Sequence, residues 1–291
     1  MAKALDIPQE ILEQIFAELD PLDVSTLSCT CRAFFDIVYD PNNQQLWRKL
    51  YLAQPLDDPR SCVNVLGQPI VGSIDWRFRL QNIMRARTFV MQRSLWKSEE
   101  RLRILRTLLE VACNVIPIPT IDSDRISLSQ AWIYTLLRKT TFLDQDGFDL
   151  QSTSEERQLH AQLHVYFGLT TQDYQPRRRV ESRSCVYAMR NYTNENEFGP
   201  FMMDRSGRVN WEHVLAIHHV VSMHLISSSS NPETLPSIFH LSQPFCQPII
   251  PPDVGLDLTG DWAGVEGLWR CSFCFCDHRD LLCKFFYVIS I

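Results

Sequence analysis

Apolar residues in the first fifty positions recur at helical rather than strand spacing. On a helix over Pro8 to Leu19, the residues Ile11, Leu12, Ile15, Phe16 and Leu19 fall within an arc of about 140°, and Gln9, Glu10, Glu13, Gln14, Ala17 and Glu18 fill the other side. Asp20-Pro21-Leu22-Asp23 then predicts a new start, with Asp20 as N-cap and Pro21 at the first helical position, where its missing N–H costs nothing. This second helix should run to about Ser28. A third fits Thr30 to Tyr39, with Cys31, Phe34, Phe35 and Val38 at i, i+3, i+4 and i+7. After Asp40-Pro41, Leu46, Trp47 and Leu50 form a last apolar stripe before Pro55. Such short helices bury too little to stand alone, so this piece should lean on the next domain or on a partner.

The same reading continues downstream. Residues 54–75 carry Pro55, Pro59, Gly67, Pro69 and Gly72 and predict a linker. Helices are predicted at Trp76 to Arg93, Ser98 to Val111, Ser127 to Lys139, Glu155 to Phe167 and 210–226, the last with Val214, Ile217, Val221 and Leu225 as its apolar stripe. Together 76–226 form a helical region, 227–260 a Pro/Ser-rich connector, and 261–291 a partial β segment. The predicted class is therefore mainly α, with a short, incomplete β-rich C-terminal part. No fixed-period repeat is present, which argues against leucine-rich or propeller architectures.

The residues that build the N-terminal helices also carry a family pattern. Ile7-Pro8, Glu10-Ile11-Leu12, Ile15-Phe16, Leu19, Pro21-Leu22-Asp23-Val24, Leu27-Ser28, Phe34, Ile37-Val38, Asp40-Pro41 and Leu46-Trp47 resemble an F-box over residues 5–52, within an N-terminal domain at 1–53. Phe34 stands where the family usually has Trp, and Thr30-Cys31 where it has Val-Ser or Val-Cys; both keep roughly the right volume. The resemblance implies a three-helix module that docks a Skp-type adaptor of an SCF (cullin–RING) ubiquitin ligase. Matching positions imply Ile7, Pro8, Ile11, Leu12, Ile15, Leu22, Val24, Leu27 and Phe34 as adaptor contacts. Ile15, Phe16, Leu19 and Leu27 could equally be the small core of a helical bundle.

A softer likeness spans 180–281. Tyr187 to Tyr192, Phe198-Gly199-Pro200-Phe201 and Asp204 to Trp211 resemble the central part of a group of uncharacterised fungal F-box proteins. In that group a tract like Asp261 to Trp269 opens a β-rich domain, and one like Asp277 to Leu281 follows on its next strand. Here only one or two strands would follow before the nearly charge-free end from Leu282 to Ile291, so the C-terminal sheet is expected to be truncated.

Composition narrows the function classes. The chain has 291 residues, 45% of them apolar and 21% charged, as in a folded globular protein, and no stretch reads as a membrane span. The acidic start does not resemble a secretory signal, so the cytoplasm and/or nucleus is expected, with the ten cysteines reduced and mostly buried as small apolar residues. Residues 1–58 alone hold ten acids against four bases, equal to the whole net charge of −6. Residues 71–110 hold nine bases against four acids, read as a solvated or ion-paired helix face rather than a nucleic-acid surface.

Candidate chemistry is sparse. Cys271, Cys274, Cys276, His278 and Cys283 could supply zinc ligands, but no second distant pair is evident, and on a strand Cys274, Cys276 and His278 point to one face while Cys271 points to the other. His213, His218, His219 and His224 lack metal-binding i, i+4 spacing; His160 and His164 have it without a zincin motif, and all six are read as solvent-facing. Arg177-Arg178-Arg179 after Pro176 reads as a short basic loop, either a solvated turn or a signal for nuclear import or an acidic partner. No phosphate-binding or nucleophile-elbow motif occurs. The expectation is a non-enzymatic, cofactor-free substrate receptor with an unknown protein target. The alternatives are an adaptor-binding protein with a truncated, non-functional target domain, or a zinc-binding protein using Cys271, Cys274, Cys276 and His278.

Overall fold

The structure is a computed structural model that describes residues 7–40, 43–92, 97–119, 123, 125–144, 152–225 and 247–250. Ten α-helices occur among the described residues: α1 (Gln9–Ala17), α2 (Pro21–Ser28), α3 (Arg32–Tyr39), α4 (Gln44–Leu52), α5 (Trp76–Met91), α6 (Ser98–Cys113), α7 (Leu128–Arg138), α8 (Ser154–Phe167), α9 (Pro176–Val186) and α10 (Trp211–Leu225). The described part is mainly α, and its only β pairing is in isolated bridges such as Val63 with Val115. The Cys271-to-Cys283 tract and the expected C-terminal β segment lie outside the described residues.

Helix starts follow the local chemistry. Asp20 caps α2 by accepting from Leu22 N at 2.9 Å, with Pro21 in the first turn. Asp75 caps α5 through Phe78 N at 2.9 Å, and Thr153 and Glu156 form a reciprocal capping box on α8. Gly168 ends α8 at φ +100°, a left-handed conformation that a side chain would strain. The stripe predicted at Leu46, Trp47 and Leu50 is a fourth helix, α4, whose Trp47 Nε1 donates to the Val38 carbonyl at 2.9 Å.

Two local readings are corrected. The basic run Arg177-Arg178-Arg179 is not a loop but the first turn of α9, nucleated by Pro176 and supported by an i, i+4 pair between Arg177 and Glu181 at 2.8 Å. Of the five described cysteines only Cys62 is buried; Cys31, Cys113 and Cys185 are half-buried and Cys29 is exposed.

The helices pack pairwise, α1 on α4, α2 on α3, α4 on α5, α5 on α6, α6 on α7 and α8, and α10 on both α8 and α9. One apolar core runs without interruption from Phe16 through Leu46, Leu50 and Tyr51 into Leu80, Phe89, Leu105, Leu163 and Met223. Tyr51 of α4 meets Trp76 of α5 edge-on, ring centroids 5.5 Å apart, so the N-terminal helices and the body share side chains.

Residues 54–75 are irregular and closely held. Leu56, Asp57, Pro59, Cys62 and Val63 are buried. The Asp57 carboxylate accepts from Ser127 Oγ and, at 2.9 Å, from Leu128 N, while Asp57 N donates to Ser129 Oγ at 2.9 Å. A buried carboxylate is tolerated only when donors converge on it, and these come from the start of α7.

The basic α5–α6 surface is consumed within the fold. Arg79 pairs with Glu110, Arg85 and Arg103 with Glu100, Arg87 with Asp20, and Arg106 with Glu155. Arg77 sits over the Tyr39 ring at 4.9 Å. Most of these bases therefore already have partners inside the chain.

Candidate functional site

Helix α1 splits its apolar residues between two directions. Leu12 and Phe16 point inward and are buried, whereas Ile11 and Ile15, one position earlier in each turn, are 44% and 45% exposed. A face wider than the core it covers leaves its edge in water. Inside, Phe16 meets Phe34 of α3 edge-on at 5.4 Å, so phenylalanine fills the position where an indole was expected. Val24 of α2 and Val38 of α3 complete this small core.

Leu22 on α2 is also exposed, at 43%. Of the remaining candidates, Pro8 is exposed, Ile7 is half-buried, and Leu27 and Phe34 are half-buried and packed on the core. The structure therefore brings Ile11, Ile15, Leu22 and Pro8 to the surface and places Leu12 and Val24 beneath it. Phe35, 45% exposed and tilted against Tyr39, was not among the candidates, although the α3 stripe that selected Phe34 contained it.

This surface is held by polar contacts from neighbouring helices. Asn43 Nδ2 donates to Glu13 Oε1 at 2.9 Å and to the Ile37 carbonyl at 3.3 Å, joining α1, α3 and the start of α4. Arg87 of α5 donates to both Asp20 oxygens at 2.9 to 3.1 Å, and those bonds hold the Asp20 carboxyl below its usual range.

A second concentration of chemistry lies among α8, α9 and α10, in a cavity of about 260 Å³ lined by Asp144, His164, Asp173, Ser182 and His219 among others. His164 Nε2 meets Asp173 Oδ2 at 3.0 Å, and Thr170 N donates to the same oxygen at 2.8 Å. Burial alone would raise the Asp173 carboxyl, but His164 and the Thr170 N–H outweigh it and hold it well down. Asp144, which receives the Thr170 hydroxyl, is raised by burial and by the Asp173 charge. His219 Nε2 faces the Asp173 carbonyl at 2.8 Å, so that nitrogen carries the proton and Nδ1 accepts from Ser182 Oγ at 2.7 Å.

The histidines expected at the surface are mostly inside. His164, His213 and His219 are buried, and His160 and His218 are half-buried. The reason is that α10 packs on α8 and α9 at once, so polar positions between its apolar ones are covered too. Its buried positions are His213, Ala216, His219, Val220, Ser222 and Met223, while Val214, Ile217 and Val221 are half-buried. Burial pushes His160 and His218 down to about 4, with His164 adding to both. Among the described residues no group of three or more His, Cys, Asp or Glu side chains is arranged to hold a metal ion, and no helix is long and apolar enough to cross a membrane.

The N-terminal end is thus a set of short helices with some aliphatic side chains turned outward. Residues 4–53 match the F-box-like family model, and the chain therefore carries an F-box-like domain at its N-terminal end. No curated protein and no solved structure matched the chain.

Proposed function

We propose that this protein is a substrate-receptor subunit of an SCF-type (cullin–RING) ubiquitin ligase. Its N-terminal helices bind the Skp-type adaptor, and the body beyond about residue 60 holds a protein target. The chain brings two partners together, and the catalytic chemistry resides in other chains. Its place of work is the cytoplasm, the nucleus or both.

The observation that carries this reading is the exposure of Ile11, Ile15 and Leu22 on the segment that matches the F-box-like family. Aliphatic side chains left exposed along one short segment are expected to be covered by a partner. Pro8, Ile7 and Leu27 extend the contact, and Leu12, Val24 and Phe34 support it from beneath.

The test is co-purification with a Skp-type adaptor, comparing the native chain with Ile11→Asp plus Ile15→Asp. Both positions are exposed, so the double variant should keep its thermal midpoint and lose the adaptor. Failure of the native chain to hold the adaptor, or undiminished binding by the variant, would remove the reading.

A further inference from the structure

Helix α9 is unlike every other helix described. It has no buried residue and carries Arg177, Arg178, Arg179 and Arg183 against one acid, Glu181. That acid is occupied by Arg177 at 2.8 Å and Arg178 at 3.8 Å. Arg179, Arg183 and Arg190 have no ion pair among the described residues, and the buried Nε of Arg179 has no hydrogen-bond partner. On α5 and α6, by contrast, Arg79, Arg85, Arg87, Arg103 and Arg106 all meet a carboxylate from another part of the chain.

The unpaired guanidiniums share a direction. At 100° per residue, Arg179, Arg183 and Val180 fall within an arc of about 100°, with Val180 49% exposed and the two arginines half-buried, Arg179 lying close enough to Tyr174 and His219 to act on both, on the flank of α9 turned from Arg178, Ser182 and Cys185, which line the cavity. The chain then folds back on the helix end: Asn191 Nδ2 donates to the Cys185 carbonyl at 2.8 Å and Tyr192 OH to the Val186 carbonyl at 2.7 Å. This turn presents Arg190 beside Met189, which is 79% exposed. Cations interleaved with exposed apolar side chains match an extended peptide that carries both carboxylates and apolar residues.

We infer that the α9 flank formed by Arg179, Val180 and Arg183, together with Met189 and Arg190, is the docking surface for an acidic peptide segment of the target. The inference rests on the receptor reading above and names the chemistry of what is received. Guanidinium groups suit it because their planar donors take carboxylates two-pronged.

The experiment uses the full chain and a short fluorescein-labelled peptide of glutamates interspersed with leucines, followed by anisotropy, with a glutamine-for-glutamate peptide as control. The acidic peptide should bind, the control should not, and Arg183→Glu should weaken binding by at least about tenfold. Arg190→Glu, which lies outside the helix, should act in the same direction, so a folding defect in α9 cannot imitate the result. Absence of acidic-peptide binding, equal binding by both charge-reversed variants, or tighter binding of a single-stranded RNA of matched charge would overturn the inference. Adaptor co-purification on the same samples separates the readings. Loss of adaptor binding by the native chain removes the ligase role, whereas loss of peptide binding alone removes this surface.

Discussion

The two ends of the described structure use their side chains in opposite ways. In α1–α3 a thin core leaves Ile11, Ile15 and Leu22 in water, whereas α5–α10, although Phe78, Met91 and Leu128 stay exposed at their edge, enclose a thick apolar core together with a set of polar and titratable groups. Phe89, Leu105 and Leu163 are fully enclosed in the body, and His164 and Asp173 are buried beside its cavity. The difference teaches that a helix with an uncovered apolar edge is recognised by what it fails to bury, and a supporting helix by the polar groups it can shelter.

Core truncation should separate the regions most sharply. Phe89→Ala or Leu105→Ala should cost about 3 to 5 kcal/mol in urea unfolding. Ile11→Ala, at an exposed position, should stay within about 0.5 kcal/mol. An equal cost at both sites would erase the contrast.

The next effect comes from pH. His160 and His218 are held near 4 when folded against about 6.5 when unfolded. The unfolded chain therefore binds the extra protons first, and stability present above pH 6.5 should be lost as pH falls toward 4. The loss is of order 3 kcal/mol for each group, read as the acid limb of a denaturation series. His160→Gln should flatten that limb. Asp173, held low when folded, adds a further loss below about pH 4, while Asp144, raised when folded, acts in the opposite direction and does so above that point, as pH falls toward about 4.

Ser127→Ala should cost about 1 to 3 kcal/mol, because it withdraws a buried donor from the Asp57 carboxylate. The smallest change belongs to the junction between the regions. Arg87→Ala should shift the melting midpoint by what about 0 to 1 kcal/mol represents, and added salt should shrink even that, since Asp20 is exposed. A larger, salt-resistant loss would mean that Arg87 orders α2 rather than merely pairing with its cap.

Much of this arrangement was legible in the residues. Helix ends at Asp20-Pro21, Trp76, Ser98 and Phe167 were marked by caps, proline and apolar periodicity, and the structure follows them closely. Helix α9 was not, because it lacks the buried stripe that periodicity detects; an N-terminal proline and an i, i+4 ion pair are weaker signals. The candidate docking residues were chosen as a set of aliphatic positions. Their division into outward Ile11 and inward Leu12 depends on where α4 and α3 lie, which no local pattern encodes. The histidines were misread for a related reason, since a helix clasped on two sides buries positions that a single-stripe reading assigns to water.

Helix α4 is where the family match at residue 53 and the physical boundary part company. Leu46, Leu50 and Tyr51 belong to the apolar core shared with the first three helices and with Trp76 and Leu80 of α5, and Tyr51 meets Trp76 directly. The matched segment is portable as a sequence but not as an object. A graft cut after residue 53 would carry away half of a shared wall, leaving Trp76 open on the donor and Tyr51 open on the graft. A transplant meant to keep its shape should extend through Met91, taking α5 and its arginine clamp along.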